Sequence, residues 1–307
     1  MITTVTFNPA VDKTAQVDEL IPGGLNRLKN IRQDAGGKGI NVSKTLKAIG
    51  EDSTATGFIG GSAGQFIKNR LDELNIDNVF IQVDGDTRTN LKVLDKDMNL
   101  TELNEAGPEC TSEDLDKMAE LLTDRSGILV LCGNTGPGVP KNIYRTLTEK
   151  AHANGLQVIM DADGELFREG IQAHPDVIKP NRFELAQFFG KSEDEMDAAT
   201  MIELARTFID EGVKLVVISM GIEGGLFVTK DRALQAPALK IPFQSAVGAG
   251  DAMVAALAYS LKHDLDLEQT LTLAVALSAG ACMTEGTQPA DAATVEKLKQ
   301  EVTWEEK

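Results

Sequence analysis

The sequence predicts an α/β protein in which one sheet carries helices on both faces and a small β flap near its N-terminal end. Three observations support this. Strand and helix signals alternate with short connections along most of the chain, the pattern of a layered α/β domain. The runs at residues 127–131 and 214–219 are almost wholly apolar, as strands covered on both faces must be. The early runs at 14–20 and 25–33 instead alternate with polar residues around Ile21-Pro22-Gly23-Gly24, which reads as a hairpin with one face in water.

In chain order, residues 2–7 form a β-rich first strand that Pro9, lacking a backbone donor, brings to an end. After the hairpin, residues 42–49 form a helix entered through Gly36, Gly37 and Gly39. Residues 53–59 are a strand and 65–74 a helix. Strands at 78–83 and 89–94 are joined by Asp84-Gly85-Asp86-Thr87-Arg88, and a short strand at 100–104 precedes Gly107-Pro108. The rhythm then becomes regular: helix 112–122, strand 127–131, helix 141–153, strand 156–161, helix 165–172, strand 176–178. Asn181 and Glu184 have the spacing of a capping box. Strand 214–219 is followed by 226–228 and 234–236 as an antiparallel edge, and helices 250–262, 267–283 and 293–302 complete the chain. No repeat, low-complexity tract or linker divides residues 1–307, so a single domain is expected.

Composition narrows the function. A 307-residue chain with 42% hydrophobic and 25% charged residues is ordinary for a globular enzyme. Its net charge of −17 leaves no basic surplus to neutralise a nucleic acid or an anionic membrane, so any phosphate site must be local. Cys110, Cys132 and Cys282 share no C-x-x-C spacing, and three scattered histidines give no zinc pattern, which suits a reducing cytoplasm. No signal peptide or membrane span is expected.

Two glycine-rich helix entries carry the chemistry. Gly248-Ala249-Gly250-Asp251 opens a helix of small and apolar residues. Unpaired N–H groups and the positive end of the helix dipole make an anion site there, and glycines admit a phosphate close to the backbone. A carboxylate at such a site would repel phosphate unless it serves to accept a proton from an attacking hydroxyl; the alternative is that Asp251 caps the helix. Gly36-Gly37-Lys38-Gly39-Ile40-Asn41 describes a second anion pocket, to which Lys38 adds a cation and Asn41 an amide. It lacks the spacing of a Walker A loop. Arg88 and Asn90 would project from one face of an extended segment, where a guanidinium can grip a phosphate in bidentate fashion. The glycine-rich end at 132–138 follows a buried strand, the usual ligand position of open α/β sheets. Asn181 and Glu184 either cap a helix or offer hard oxygen ligands to Mg²⁺ and its waters.

The segments 36–43 and 248–251 resemble the two signatures of the PfkB (ribokinase-like) carbohydrate kinases, and the order of elements between them is similar along essentially the whole chain. Asn8-Pro9-Ala10-Val11-Asp12, Thr87-Arg88-Thr89-Asn90 and residues 101–108 resemble most the branch that phosphorylates fructose 1-phosphate. The resemblance implies a three-layer sandwich on a mainly parallel sheet, with a small β-sheet lid from about residues 12–34 and 87–107. It implies homodimerisation through that lid, and ATP and Mg²⁺ as cofactors. The expected reaction is phosphoryl transfer to the 6-hydroxyl of fructose 1-phosphate; the alternatives are a tagatose-6-phosphate kinase or a silent sugar-phosphate sensor of the same fold.

Carried over by residue, the resemblance makes Asp251 the base and Gly248, Ala249 and Gly250 the anion hole. Asp12, Gly37 and Asn41 hold the sugar, while Lys38 and Arg88, with Asn90 and Asn104, hold its existing phosphate. Lys179, Ser219, Gly221, Ile222, Glu223, Gly224 and Gly250 line the nucleotide, and Asn181 and Glu184 take the metal. Two departures stand out. Ser245-Ala246 replaces the Asp-Thr or Asn-Thr that often precedes the second signature, and Cys132-Gly133-Asn134-Thr135-Gly136-Pro137 replaces the usual Ser-Gly-Ser-Leu-Pro.

Overall fold

The computed structural model describes residues 1–97, 99–123 and 125–307. Its strands are β1 (Ile2–Thr6), β2 (Ala10–Gln16), β3 (Lys29–Gly36), β4 (Thr54–Ile59), β5 (Asp77–Gln82), β6 (Arg88–Leu94), β7 (Leu100–Asn104), β8 (Ile128–Cys132), β9 (Gln157–Asp161), β10 (Val177–Ile178), β11 (Leu215–Ser219), β12 (Gly225–Val228), β13 (Ala233–Ala236) and β14 (Glu305–Glu306). Its α-helices are α1 (Lys38–Ala48), α2 (Gly61–Glu73), α3 (Ser112–Thr123), α4 (Ile143–Ala153), α5 (Gly164–Gly170), α6 (Arg182–Phe189), α7 (Ala198–Asp210), α8 (Ala249–Lys262), α9 (Leu267–Cys282) and α10 (Ala292–Lys299).

The strands form a large sheet in the order β14-β13-β12-β11-β10-β9-β8-β1-β4-β5 and a four-stranded sheet in the order β3-β2-β6-β7. In the large sheet every pairing from β11 to β5 is parallel, and β12, β13 and β14 close one edge antiparallel. Period-two alternation sorts its side chains into two cores. In β8, Leu129 and Leu131 join one core with Met118, Tyr144, Phe167 and Phe208 from α3, α4, α5 and α7. Ile128, Val130 and Cys132 join the other with Val42, Leu46, Val254 and Leu271 from α1, α8 and α9. Both faces are therefore covered, which is why these strands carry few polar residues.

The chain lays β4 and β5 on one side of β1 and then β8 to β11 on the other, so the order reverses between β1 and β8. Ligands of open α/β sheets sit outside the carboxyl ends of the strands at such a reversal. The lid sheet rises from that point, because Asn8-Pro9 links β1 directly to β2.

Several boundaries differ from those read in the sequence. Helix α1 begins at Lys38, four residues before the expected start, because a strand supplies its cap: Ile40 N–H donates to Thr6 Oγ1 at 3.1 Å. Gly37, at φ 121°, brings the chain onto β1, where a Cβ would meet Thr6 Cγ2 at 2.6 Å. The hairpin strands lie at 10–16 and 29–36 rather than 14–20 and 25–33. Helix α7 has no counterpart in the sequence reading, although Met201, Ile202, Ala205, Phe208 and Ile209 recur at helical spacing behind an Asp197 cap. Strand β14 is two residues long and signals nothing locally; it exists by pairing with Leu234 and Gln235. Among the described residues no helix is long and apolar enough to cross a membrane.

Helix α8, whose first turn carries Asp251, is also held at its far end. Buried Glu51, after α1, accepts hydrogen bonds from Lys262 Nζ and from His263 Nε2, the latter at 2.7 Å. Burial alone would raise the Glu51 carboxyl, but the bonds from Lys262 and His263 outweigh it and hold the group below its ordinary value. A depressed carboxyl stabilises the fold above its unfolded-state pKa, and that contribution is lost as pH falls through the folded value. Glu51→Gln should therefore destabilise the protein by roughly 1–3 kcal/mol at pH 7. In thermal melts the deficit should shrink as pH falls below the ordinary glutamate range.

Candidate active site

Asp251 lies in the first turn of α8, behind a helix cap formed by Gly248 at φ 86°, a conformation that favours glycine. Ala252 N–H makes the first intrahelical bond, to Gly248 O at 2.9 Å, and Ala249 N–H donates to Ala246 O at 3.3 Å. The N–H groups of Gly250 and Asp251 have no acceptor among the described residues and form the open part of the anion site. Ala249, expected to share in that hole, has its donor engaged in this structure.

The Asp251 side chain is buried, and Oδ2 accepts a hydrogen bond of 2.8 Å from Asn41 Nδ2 of α1. The two glycine-rich signatures thus meet through this bond. Burial raises the Asp251 carboxyl to about 6; the Asn41 bond opposes the shift, Asp161 adds to it, and Lys38 and Lys179 reduce it. A carboxylate poised near neutrality in a dry pocket suits a general base.

Asp161, at the end of β9, was not singled out in the sequence, yet it organises the pocket. Its buried carboxylate lies 3.3 Å from Lys179 Nζ through Oδ1 and 3.4 Å from Lys38 Nζ through Oδ2. Burial would raise this carboxyl, but the two ammonium groups outweigh it and hold Asp161 below its usual value. In return, the Asp161 and Asp251 carboxylates overcome burial and raise Lys38, keeping it charged. A Cβ placed on Gly250 would lie 3.6 Å from Lys179 Nζ, so this cation faces the anion site directly. The available signal was positional: Asp161 ends a buried parallel strand, the place where ligands of open sheets gather.

The residues expected to hold the sugar and its phosphate fall into two groups. Lys38 faces Asp161, Asp251 and Glu184. Gly133 lies beneath the Lys38 stem, where a Cβ would meet Lys38 Cβ at 3.4 Å, so the unusual 132–138 loop contributes close backbone packing there. Arg88 belongs to the lid group instead: Nε and Nη2 donate to Asn8 O at 3.2 and 3.0 Å, and Asp12 acts on its charge. Asn90 Nδ2 donates to Asp12 Oδ1 at 3.1 Å, and Asn104 is the register partner of Asn90 on β7. Lys92 Nζ, 3.9 Å from both Asp12 and Glu102, is a further lid cation that sequence reasoning missed.

Among the residues expected to line the nucleotide, Ser219 ends β11, and Gly221–Glu223 forms a 3₁₀ turn with Ile222 fully outward. Glu223 is held by Arg182 through two bonds of 2.8 and 2.6 Å. The glycine at 224 is required by packing, since a Cβ there would collide with Ala236 O. Asn181 and Glu184 do form the capping box: Glu184 N–H donates to Asn181 Oδ1 at 2.7 Å, and Asn181 N–H to Glu184 Oε2 at 2.8 Å. A bridge from Asn181 to Ser219 brings this cap to the end of β11.

A base raised to about 6 makes activity fall as pH drops through that value, because the protonated carboxyl cannot accept a proton. Asn41→Ala removes a hydrogen bond that favours the ionised form, so the acid limb of kcat/KM should move to higher pH. A shift of roughly one to two pH units is expected, from a bond to a charged group worth about 1.5–3 kcal/mol. A pH–rate profile of the two enzymes checks it.

Comparison with known proteins agrees with this geometry. The profile of the "pfkB family carbohydrate kinase" family matches residues 5–293. A 1-phosphofructokinase of Xanthomonas campestris pv. campestris is 40% identical over 285 residues, covering 90% of this chain and 89% of the relative. The crystal structure of phosphofructokinase-2 from Escherichia coli in complex with substrates and products superposes with a TM-score of 0.92 at 26% identity, over 98% of each chain. Ribokinase from Thermotoga maritima, 23% identical with a TM-score of 0.78 over 98% of this chain and 99% of its own, shares the fold. With two signatures joined at one buried carboxylate and a family match along nearly its whole length, the chain belongs to the pfkB family of carbohydrate kinases.

Proposed function

We propose that this kinase transfers the γ-phosphoryl group of ATP to the 6-hydroxyl of fructose 1-phosphate, giving fructose 1,6-bisphosphate. The observation that carries the reading is Asp251: a buried carboxylate at the open N-terminus of α8, fixed by Asn41 and faced by two lysines. Asp251 takes the proton of the attacking hydroxyl as the oxygen–phosphorus bond forms. The N–H groups of Gly250 and Asp251, with Lys179, stabilise charge on the transferred group. Lys38 stands between the sugar and that group, balanced by Asp161. Ser219 and the turn at 221–224 border the nucleotide.

The substrate assignment rests on the 1-phosphofructokinase relative together with the lid group. Arg88 is half-buried beside Asp12 and Asn90, and a guanidinium there suits the phosphate that the sugar already carries. Mg²⁺ fits the donor set at the α6 cap. Glu184 Oε2 is occupied by the cap, whereas Oε1 has no partner among the described residues, and burial raises this carboxyl from its ordinary value. Glu184 and Asn181 would hold the ion and its waters, and the ion would neutralise charge on the ATP phosphates. A second copy covering the lid would bury Ile31, Leu100 and Leu103, large apolar side chains exposed on lid strands, and Ile21 and Leu25 of the hairpin loop.

An ADP-release assay across fructose 1-phosphate, fructose 6-phosphate, tagatose 6-phosphate and free fructose tests the assignment, with fructose 1-phosphate expected to have the highest kcat/KM. Arg88→Ala should lower kcat/KM for fructose 1-phosphate by roughly 10- to 100-fold. Any activity on free fructose should hardly change, because that substrate has no phosphate to lose. Equal losses on both would place Arg88 in lid support instead.

A further inference from the structure

Lys44 of α1 is nine-tenths buried and has no role in the reaction as described so far. Its ammonium meets three oxygens, Thr287 Oγ1 at 3.1 Å, Ala35 O at 3.3 Å and Asn41 Oδ1 at 3.4 Å. All three are neutral. A buried cation without a bonded carboxylate is costly, and a methionine or leucine would fill the same space without that cost.

The partners show what the cation does. A lysine ammonium only donates and an ionised carboxylate only accepts. Asn41 lies between the two, with Oδ1 toward Lys44 and Nδ2 donating to Asp251 Oδ2 at 2.8 Å. Both neighbours select the same orientation of the amide, since a flipped amide would set its oxygen against the Asp251 carboxylate and its NH2 against the Lys44 ammonium, so Lys44 holds from the far side the orientation that Asp251 needs. The third partner extends the link, since a Cβ placed on Gly248, the cap of α8, would lie 3.6 Å from Thr287 Cα.

We propose that Lys44 is a positioning residue for phosphoryl transfer: its ammonium fixes the Asn41 amide that holds the Asp251 carboxylate, and ties that amide to Thr287 beside Gly248. This rests on the reading of Asp251 as the base. The charged groups around the pair come from every neighbouring element. Asp34 and Asp12 of the lid, Asp251 of α8 and Arg70 of α2 act on Lys44, whose pKa burial lowers. Asp161 of β9, Lys38 of α1 and Lys179 after β10 act on Asp251.

The test is a pH–rate comparison of wild type, Lys44→Met, Lys44→Gln, Asn41→Ala and the Lys44→Met/Asn41→Ala double variant, with Asp251→Asn as a reference and a thermal melt for each. Lys44→Met should lower kcat at pH 7 by about tenfold, with KM for ATP within a few-fold of wild type, and should move the acid limb of kcat/KM to higher pH. Lys44→Gln, which keeps a donor, should lose less. Because Lys44 acts through Asn41, the double variant should show no greater limb shift than Asn41→Ala alone. An unchanged limb in Lys44→Met, additive shifts in the double variant, or failure of both Lys44 variants to fold would each overturn the proposal and leave Lys44 a structural residue. If Asp251→Asn itself turned over near the wild-type rate, the base reading would fail, an outcome separate from the behaviour of Lys44.

Discussion

One constraint organises this molecule: a carboxylate is buried at the start of a helix, beside backbone N–H groups that the helix leaves open. Burial pushes Asp251 toward its neutral form, and Asn41, Lys38 and Lys179 oppose that push. Asn41 and Lys38 come from the helix after β3, Lys179 from the turn after β10, and Asp251 itself from α8. Residues more than 200 positions apart in the chain therefore have to meet, and the Asn41–Asp251 bond is the point at which they do. Asp161 completes the arrangement by holding the two lysines, each at about hydrogen-bond distance from one of its oxygens.

The sheet explains why they meet there. Reversal of strand order between β1 and β8 brings the carboxyl ends of β1, β8, β9 and β10 to the place where ligands of open sheets bind. Asn8-Pro9, Cys132-Gly133, Asp161 and Lys179 are the residues at those ends. Threonines on β1 anchor α1 from inside the sheet: Thr6 caps it, and Thr4 Oγ1 lies 2.8 Å from Ser43 Oγ. The lid grows from the end of β1, so the Arg88–Asp12–Asn90 group and the Asp251 group share one base.

Much of this was legible in the sequence, for reasons that differ by element. The parallel strands were readable because burial on both faces leaves a bare apolar run, as in residues 128–132. The glycine-rich starts of α1 and α8 were readable because glycines clustered just before an apolar run mark a helix entry that a ligand can approach closely. The start of α1 was misplaced because its cap is Thr6, on another strand, which no local pattern reveals. Asp161 and Lys44 were missed for a related reason. Each is a charged residue inside an otherwise regular element, and its meaning comes largely from neighbours distant in sequence. Asn181 and Glu184 form the cap that their spacing predicts, and the cap occupies one Glu184 oxygen and leaves the other open.

The most direct test of the account is single-turnover phosphoryl transfer in Asp251→Asn, measured beside equilibrium binding of ATP and fructose 1-phosphate. The substitution keeps the shape of the side chain and removes its ability to accept a proton. Binding near wild type with the chemical step slowed by roughly 100-fold or more is the predicted result. Transfer within a few-fold of wild type, with binding intact, would contradict the assignment of Asp251 as the base.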